Sequence, residues 1–280
     1  MKPGWKPEQL ERPSFAPRHW GGWLQVALLW CLGWLPRSLG LLLVRPLGPL
    51  MHRVLGSRRR IAERNLAVCL PELDAQARES ILKDSFDALA RMVVETAWCW
   101  AGRPATLEGL VEPVGFEHLV ASRQEGRGLL IVTAHVTCLE MAARALGERW
   151  EGYGLYRPLG DPVMEWYQNR GRARYAEGMF SKRDLRGVVR LLRRGGALWY
   201  APDQDFGTQE SVFAPFFGVQ TATLLATHRL PSLTGCQVVV MMPRYDRDRD
   251  RYVVEVTPPM TDFPTDDPVA DLTRINALLE

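Results

Sequence analysis

The sequence has few cysteines and none of the short motifs that bind nucleotides or nucleic acids. Its five cysteines are scattered over 280 residues without a Cys-x-x-Cys pair, which excludes a disulfide framework and is typical of a reducing compartment. No Walker loop, dinucleotide-binding glycine pattern, nucleic-acid motif, internal repeat or low-complexity linker is present. An ordinary globular chain remains, 46% hydrophobic and 24% charged, long enough for a substantial core and one or two domains.

An uninterrupted apolar stretch of the ~20 residues that cross a bilayer is also missing. The run from Trp20 to Leu35 has only sixteen residues, and Pro36-Arg37 separates it from a second apolar run, Leu39 to Met51. Tryptophan and arginine in these runs are typical of a membrane interface. We therefore predict that residues 1–56 form a membrane-anchoring segment with a hydrophobic helix. The alternative is a hydrophobic helix buried in a soluble core.

The net positive charge is small and is concentrated at the start of the chain. The net charge is +3, yet residues 1–60 hold ten Lys or Arg against Glu8 and Glu11, a local net of +8 that leaves −5 for the remainder. This distribution favours an anionic membrane surface over nucleic acid as the partner. The long, proline-rich basic start does not fit a cleaved signal peptide. Arg58-Arg59-Arg60 would stay on the cytoplasmic side.

Beyond the apolar segment, the pattern predicts an α/β fold with a mostly parallel sheet flanked by helices. Residues 57–110 should be helical, with one helix starting near Asp74 and carrying Trp98 and Trp100 into the core. Residues 111–280 should form the α/β core. The predicted strands are Leu129–Thr133, Gly152–Tyr156, Ala197–Ala201, Gln237–Met242 and Tyr252–Val256.

A buried strand followed by a histidine carries the main functional hypothesis. The apolar run Leu129–Val132 is followed by His135 and then by a helix that begins near Glu140 and stops at Gly147. Ligands bind at such turns in open α/β sheets. Five residues inside one helix would turn two side chains about 140° apart at ~100° per residue. With His135 in the turn, however, Glu140 could orient its imidazole as the partner of a general base.

Three other interpretations of this stretch remain open. Thr137-x-x-Glu140 is a capping-box pattern, in which Glu140 only bonds the backbone amide of Thr137. Cys138 could be a nucleophile beside His135, or merely a small buried hydrophobe. Zinc is the weakest candidate, because the pattern is not His-Glu-x-x-His and no third ligand is close.

Three later segments could flank this histidine. Residues 170–194 hold nine Lys or Arg against Glu177 and Asp184, and four arginines fall on one side of a predicted helix. This side is either a solvated face or a dock for a phosphorylated headgroup or an acidic carrier protein. Asp203 and Asp205 follow a strand and should reach the same sheet edge as His135, where they could orient a base or hydrogen-bond a sugar, unless they only form a turn. The apolar run Val212–Gly218, with Phe216 and Phe217, should either line an acyl-chain pocket or pack beneath the sheet.

Together these segments resemble a known family of enzymes. His-x4-Glu after a buried strand resembles the His-x4-Asp/Glu motif of the membrane glycerolipid and lipid A acyltransferases. Further blocks resemble the lipid A secondary acyltransferases, the lauroyl branch in particular: Arg64-Asn65 to Glu72, Tyr156-Arg-Pro with Asp161-Pro162, Gly171-Arg172, Trp199 to Gly207, and Val212 to Gly218. The family also ends with a further helix and a Trp-x-His-x-Arg-Phe block, which this sequence, ending at Glu280, does not contain.

The resemblance implies a membrane enzyme of the bacterial inner membrane with its catalytic side in the cytoplasm. The donor would be an acyl carrier protein thioester, and the acceptor a hydroxyl of a hydroxyacyl chain on a Kdo-bearing lipid A precursor. His135 and Glu140 would form the catalytic pair, without metal or cofactor. Arg172, Asp203 and Asp205 would orient substrate or stabilise the oxyanion. The remaining candidates for substrate binding are Arg157, Arg170, Arg174, Phe216 and Phe217. The alternatives are a glycerolipid acyltransferase, a Cys138 thioesterase and a non-catalytic lipid-binding protein.

Overall fold

The computed structural model describes residues 11–102, 107, 109–181, 183–204 and 207–280. The described chain begins with the helices α1 (Trp20–Trp34), α2 (Arg37–Val44), α3 (Leu47–Val54), α4 (Gly56–Cys69) and α5 (Ala75–Ala101). The next elements are β1 (Val111–Val114), α6 (Glu117–Gln124), β2 (Leu129–Val132), α7 (Leu139–Gly147), β3 (Tyr153–Tyr156), α8 (Pro162–Arg172), β4 (Gly178–Ser181) and α9 (Leu185–Arg193). The last are β5 (Ala197–Tyr200), β6 (Ser211–Phe216), β7 (Val219–Leu224), α10 (Ala226–Thr234), β8 (Gln237–Asp246), β9 (Arg251–Val256) and α11 (Pro268–Leu279).

The described residues form a seven-stranded sheet in the order β1-β9-β8-β2-β5-β3-β4. All neighbouring strands are parallel except β8 and β9, which form an antiparallel pair. The predicted α/β class and its five strands are therefore confirmed. The sequence patterns did not reveal β1, β4 or the separate antiparallel hairpin β6–β7, because these segments are short or carry proline.

The sheet separates two layers of helices, and strand β2 shows why. All four of its residues are buried, and alternate side chains of a strand point to opposite faces. Leu130 and Val132 pack in one cluster with residues of α9, α10 and α11. Leu129 and Ile131 pack in another with residues of α7. A strand covered on both faces needs this continuous apolar run.

Helix α5 joins the N-terminal helices to the sheet layer. Its N-cap is Asp74, whose carboxylate accepts a hydrogen bond from the amide of Ala77 at 2.7 Å, as the sequence predicted. Trp98 is fully buried and Trp100 is 8% exposed, so both belong to the core. The helices α1 and α3 pack against α5, and α5 in turn packs against α7 and α8.

The predicted hydrophobic segment is divided into three short helices. Pro36 is the N-cap residue of α2, and Pro46 is the N-cap residue of α3. In the described part of the chain, no helix is both long and apolar enough to cross a membrane. Several large apolar side chains of these helices nevertheless face outward: Trp20, Leu24, Leu28, Trp30, Leu42 and Leu43 are each more than half exposed.

Gly128 provides a test of the packing between β2 and α9. A Cβ added at this buried glycine would lie 2.1 Å from the carbonyl oxygen of Leu192. This oxygen belongs to the backbone, so a change of side-chain rotamer cannot relieve the clash. We expect Gly128→Ala to lower the free energy of unfolding by about 1–3 kcal/mol, as overpacking usually does. At Gly152, before β3, the nearest atom would lie at 3.9 Å. Urea denaturation should therefore show Gly152→Ala within about 0.5 kcal/mol of wild type; equal effects of the two variants would contradict the packing.

Candidate active site

His135 and Asp203 are brought together by the pairing of two central strands. Strands β2 and β5 are parallel neighbours, and Val132 lies opposite Tyr200. Each of the two polar residues follows its strand by three positions, since His135 comes three residues after Val132 and Asp203 three after Tyr200. The amide of Thr133 also donates to the carbonyl of Tyr200 at 3.0 Å, which continues the pairing beyond β2. Parallel strands in this register therefore deliver both side chains to one edge of the sheet.

The carboxylate of Asp203 contacts His135 through both of its oxygens. One oxygen lies 2.5 Å from Nδ1 of the imidazole, and the other accepts a hydrogen bond from the His135 backbone amide at 2.8 Å. Partial burial favours the protonated acid, but these hydrogen bonds outweigh it and lower the pKa of Asp203. An ionised Asp203 holds the proton on Nδ1 and leaves Nε2 as a hydrogen-bond acceptor, the arrangement of a general base.

Glu140 does not contact His135 through a hydrogen bond among the described residues, so the predicted pairing of these two side chains is wrong. Its carboxylate instead accepts hydrogen bonds from three other residues. Trp100 Nε1 donates at 3.0 Å, Arg172 donates through Nε at 3.0 Å and through Nη2, and the hydroxyl of Tyr175 also donates. Asp203 occupies the position beside the imidazole that the sequence had suggested for Glu140.

The buried Glu140 is held in its ionised form by these donors. Burial raises the pKa of a carboxyl group, but the charge of Arg172 and the hydrogen bonds from Arg172, Tyr175 and Trp100 together lower the pKa of Glu140. The capping-box interpretation is also wrong, because Cys138 is the N-cap of α7 and no side chain caps that end. Glu140 therefore fixes the guanidinium of Arg172 within the protein.

A cavity of about 360 Å³ opens beside His135. One wall is the face of α7 that carries Leu139, Ala143, Leu146 and Gly147, a spacing typical of one side of a helix. Polar groups, among them His135, Arg157 and Arg172, line the same cavity. Its other walls are mainly apolar and come from the sheet, including Tyr153, Leu155, Met179 and Trp199, while α8 contributes Gln168 and Arg172. An apolar cavity with a few charged groups is suited to a substrate with a long hydrocarbon chain and a polar end.

The other predicted arginines have different positions. Arg157 and Arg172 line the cavity with His135, as a substrate-binding role requires. Arg174 donates to the carbonyl oxygens of Trp100 and Gly102, both at 2.9 Å, so its guanidinium holds the end of α5. Arg170 lies over the ring of Trp166, 5.6 Å from the ring centre. Neither Arg170 nor Arg174 lines the cavity beside His135. Both line a second, open cavity with Trp30 and Tyr167, and their role in substrate binding stays a prediction.

The phenylalanine-rich segment forms the hairpin β6–β7 and does not line this cavity. Phe216 ends β6, packs against the cluster beneath the sheet, and borders a much smaller cavity of about 30 Å³ next to Asp203. Phe217 lies in the hairpin turn at φ 48°, with its amide donating to Glu280. Packing beneath the sheet, the second interpretation of this segment, is what Phe216 does. Asp205 lies outside the described residues.

Cys138 is buried and chemically unsuited to be a nucleophile. Cys138 is 4% exposed, and desolvation raises the pKa of its thiol to about 12. At pH 7 the reactive thiolate would be only about one part in 10⁵ of the population, whereas catalytic cysteines have lowered pKa values. The thiol packs among apolar residues such as Met141 and Trp98, as a small hydrophobe does.

The sequence patterns did not reveal two groups of residues that belong to the site. Trp100 and Tyr175 bind Glu140 across 40 and 35 residues of chain, a separation that no local pattern reveals. The cavity-lining face of α7 did have a signal, because Leu139, Ala143 and Leu146 repeat at helical spacing directly after His135. That repeat predicted only that the helix has an apolar side, not that a cavity lies against it.

Comparisons with known proteins identify similar sequences along almost the whole chain. Residues 9–280 match the profile of a family described as bacterial lipid A biosynthesis acyltransferase. The chain is 34% identical over 265 residues to the lipid A biosynthesis lauroyltransferase of Escherichia coli (strain K12), covering 94% of this chain and 87% of that protein.

Two further relatives from the same organism differ in the acyl chain that their names specify. The lipid A biosynthesis palmitoleoyltransferase is 33% identical over 260 residues, covering 92% of this chain and 85% of the relative. The lipid A biosynthesis myristoyltransferase is 27% identical over 266 residues, covering 94% and 82%. Similar identity to relatives with different acyl chains leaves the chain length open.

The Glu140 cluster generates a prediction about stability. Glu140→Gln keeps the size of the side chain but leaves Arg172 without its negative partner at a buried site. We expect a loss of about 3 kcal/mol in the free energy of unfolding, the scale on which breaking a buried ion pair destabilises a protein. Glu210→Gln is the control, since Glu210 pairs with Arg229 at 3.2 Å and both side chains are more than half exposed. It should cost under about 1 kcal/mol. Equal losses in urea denaturation would contradict a buried role for Glu140.

Proposed function

Because the chain belongs to the bacterial lipid A biosynthesis acyltransferases, we propose that it transfers a lauroyl-like chain from an acyl carrier protein thioester to a lipid A precursor. The acceptor is the hydroxyl of a hydroxyacyl chain on a Kdo-bearing glycolipid. The observation that carries this proposal is the apolar cavity beside the His135–Asp203 pair. A reactive base next to a hydrocarbon-sized cavity is what ester formation on an acyl chain requires.

The lining of the cavity supports an acyl chain as the group that it holds, because its walls are mainly apolar and His135 borders it. The lauroyl chain is proposed from the relative of 34% identity whose name specifies that chain.

The proposed reaction is direct transfer with His135 as general base. Its Nε2 accepts the proton of the acceptor hydroxyl, and the oxygen forms a bond to the thioester carbonyl carbon. The tetrahedral intermediate then collapses, the carbon–sulfur bond breaks, and the leaving sulfur takes the proton from the imidazolium. The products are an ester and a thiol, so no metal, redox cofactor or acyl-enzyme is needed. The pKa of about 12 at Cys138 supports this route over a thioester on that residue.

Asp203 and Arg172 have separate roles in this scheme. Asp203 holds Nδ1 of His135 and stabilises the imidazolium that forms during the reaction. Arg172 lines the cavity and is held in place by Glu140, so its charge is available where negative charge develops on the carbonyl oxygen. Glu140 is thus a positioning residue that acts through Arg172, and Arg157 is a second cation at the same cavity.

We also propose that the protein acts at the bacterial inner membrane with its catalytic side in the cytoplasm. The outward-facing tryptophan and leucine side chains of α1 and α2 support contact with the apolar part of a bilayer surface. The concentration of lysine and arginine in residues 1–60 supports attraction to anionic lipids. A lipid substrate would reach the enzyme from that surface.

The experiment that tests this function measures transfer of a labelled dodecanoyl chain from its carrier thioester to the lipid A precursor. Asp203→Asn should lower the transfer rate about 10²–10⁴-fold, the scale on which general-base catalysis is lost. The variant should fold normally, because asparagine occupies the same space. Asp267→Asn is a control: Asp267 caps α11, and asparagine is an equally good N-cap, so its rate should not change.

Three results would contradict the proposal. Release of free acid without acceptor would indicate a thioesterase. Transfer that persists in Asp203→Asn above about a tenth of the wild-type rate would remove Asp203 from the mechanism, since general-base loss is much larger. Binding of lipid without either reaction, in protein that is folded by circular dichroism, would indicate a non-catalytic lipid-binding protein.

A further inference from the structure

Helix α9 presents a set of arginines without acidic partners. We call Arg183, Arg186, Arg190, Arg193 and Arg194 the α9 basic surface; all five residues are exposed. Within the part of the chain that the structure describes, none of them forms an ion pair, and only Arg193 donates a side-chain hydrogen bond, to the carbonyl of Leu233. Arg186, Arg190 and Arg194 are four residues apart, a spacing at which like charges repel and destabilise a helix.

Several other exposed arginines of the described chain form ion pairs with carboxylates. Arg229 pairs with Glu210 at 3.2 Å and Arg247 with Asp84 at 2.9 Å. Arg249 pairs with Glu112 at 2.6 Å. The α9 basic surface differs from these pairs because none of its five arginines forms an ion pair with a described residue, and unpaired positive charge of this kind suits an acidic partner.

Apolar side chains lie among these arginines. Leu185 is 55% exposed and Val189 is half-buried, and both border a shallow groove together with Arg186, Arg190, Arg193 and Arg194. Leu233 of the adjacent helix α10 is 52% exposed and accepts the hydrogen bond from Arg193 through its carbonyl. A groove with an apolar floor and a cationic rim fits the acidic amphipathic surface of a protein better than an isolated phosphate group.

The position of α9 in the fold argues against a membrane as its partner. The buried side of α9, including Val188 and Leu191, packs on the same face of the sheet as α10 and α11. The outward-facing apolar helices α1 and α2 pack through α5, which lies with α7 and α8 on the other face. A bilayer bound by α1 and α2 would leave the α9 basic surface directed away from the lipid.

The same helix begins at the edge of the sheet that holds the candidate active site. Strand β4 ends at Ser181, and α9 starts four residues later at Leu185. In the sheet, β4 is three positions from β2, the strand that leads to His135. Three inter-strand spacings of ~4.8 Å separate the ends of these two strands by about 14 Å. A long flexible arm on a docked protein could span this distance to the cavity.

We propose that the α9 basic surface docks the acidic carrier protein that delivers the acyl thioester. This inference rests on the proposed function, and it assigns the donor protein a place on the enzyme. The carrier binds on the face of the sheet away from the membrane, and its thioester arm reaches over the end of β4 to the cavity. The lipid acceptor arrives from the opposite face, so the two substrates do not compete for one surface.

The test compares two double variants of the full chain in detergent micelles. Arg186→Glu with Arg190→Glu reverses two charges four residues apart on α9. Arg60→Glu with Arg64→Glu makes the same change on α4, where both residues are exposed, have no ion pair in the described chain and lie on the membrane-side layer. Binding of dodecanoyl carrier protein is measured by fluorescence anisotropy at low salt. Transfer is measured from that carrier and from dodecanoyl pantetheine, a small uncharged donor.

The α9 variant should bind the carrier about tenfold more weakly than wild type, and its KM for the carrier donor should rise by a similar factor. Its kcat and its KM for dodecanoyl pantetheine should change less than about twofold, because a surface contact with the carrier is not made by the small donor. The difference should shrink in ~0.5 M salt, at which exposed charges are screened. The α4 variant should bind the carrier as wild type does.

Three outcomes would overturn the docking site. One is unchanged carrier binding by the α9 variant, and another is an equal loss in the α4 variant. The third is reduced sedimentation of the α9 variant with phosphatidylglycerol vesicles while carrier binding stays intact, which would assign the surface to lipid. If wild type binds the carrier through α9 but transfers nothing from either donor, the docking surface stands and the proposed reaction fails.

Discussion

The register between β2 and β5 is the constraint on which the candidate site depends. Val132 lies opposite Tyr200, and the chain then takes three residues on each strand to reach His135 and Asp203. A shift of one residue would point the following side chains in other directions and would also exchange the faces that β2 buries. Since both faces of β2 are covered by helices, its packing holds this register, and the register holds the base beside its carboxylate.

The contacts of Glu140 show that Glu140 and Asp203, the two acidic residues near His135, have different roles. Glu140 is surrounded by donors from α5, α8 and the segment that follows α8, and it lies beside the cavity wall formed by α7. An ionised group at a buried position is tolerated only when it is paired and hydrogen-bonded, as this one is. The arrangement fixes Arg172 at the cavity without involving His135. Glu140, at the start of α7, thus holds Arg172 in place, while Asp203, which follows β5, is the partner of His135.

Local patterns in the sequence predicted the elements better than they predicted the contacts between them. The apolar run of β2 and the N-cap of α5 at Asp74 each depend on a few neighbouring residues, and both were found. Glu140 was assigned to His135 because it is close in sequence, whereas Asp203 is 68 residues away and meets His135 only through strand order. Phe216 and Phe217 were apolar enough to suggest a pocket, but Phe216 packs beneath the sheet and Phe217 lies in the turn of the hairpin. Non-local topology decided each of these cases.

The central claim is that the cavity along α7 holds the acyl chain with its reactive carbon beside His135. The most direct measurement is a crystal structure of the full chain with dodecyl pantetheine thioether, a donor analogue that lacks the thioester carbonyl and cannot react. We predict that its hydrocarbon chain lies along Leu139, Ala143 and Leu146, with the sulfur near Nε2 of His135. A chain bound instead at the small cavity next to Phe216, or along the outer side of α1, with the cavity along α7 empty, would contradict the account.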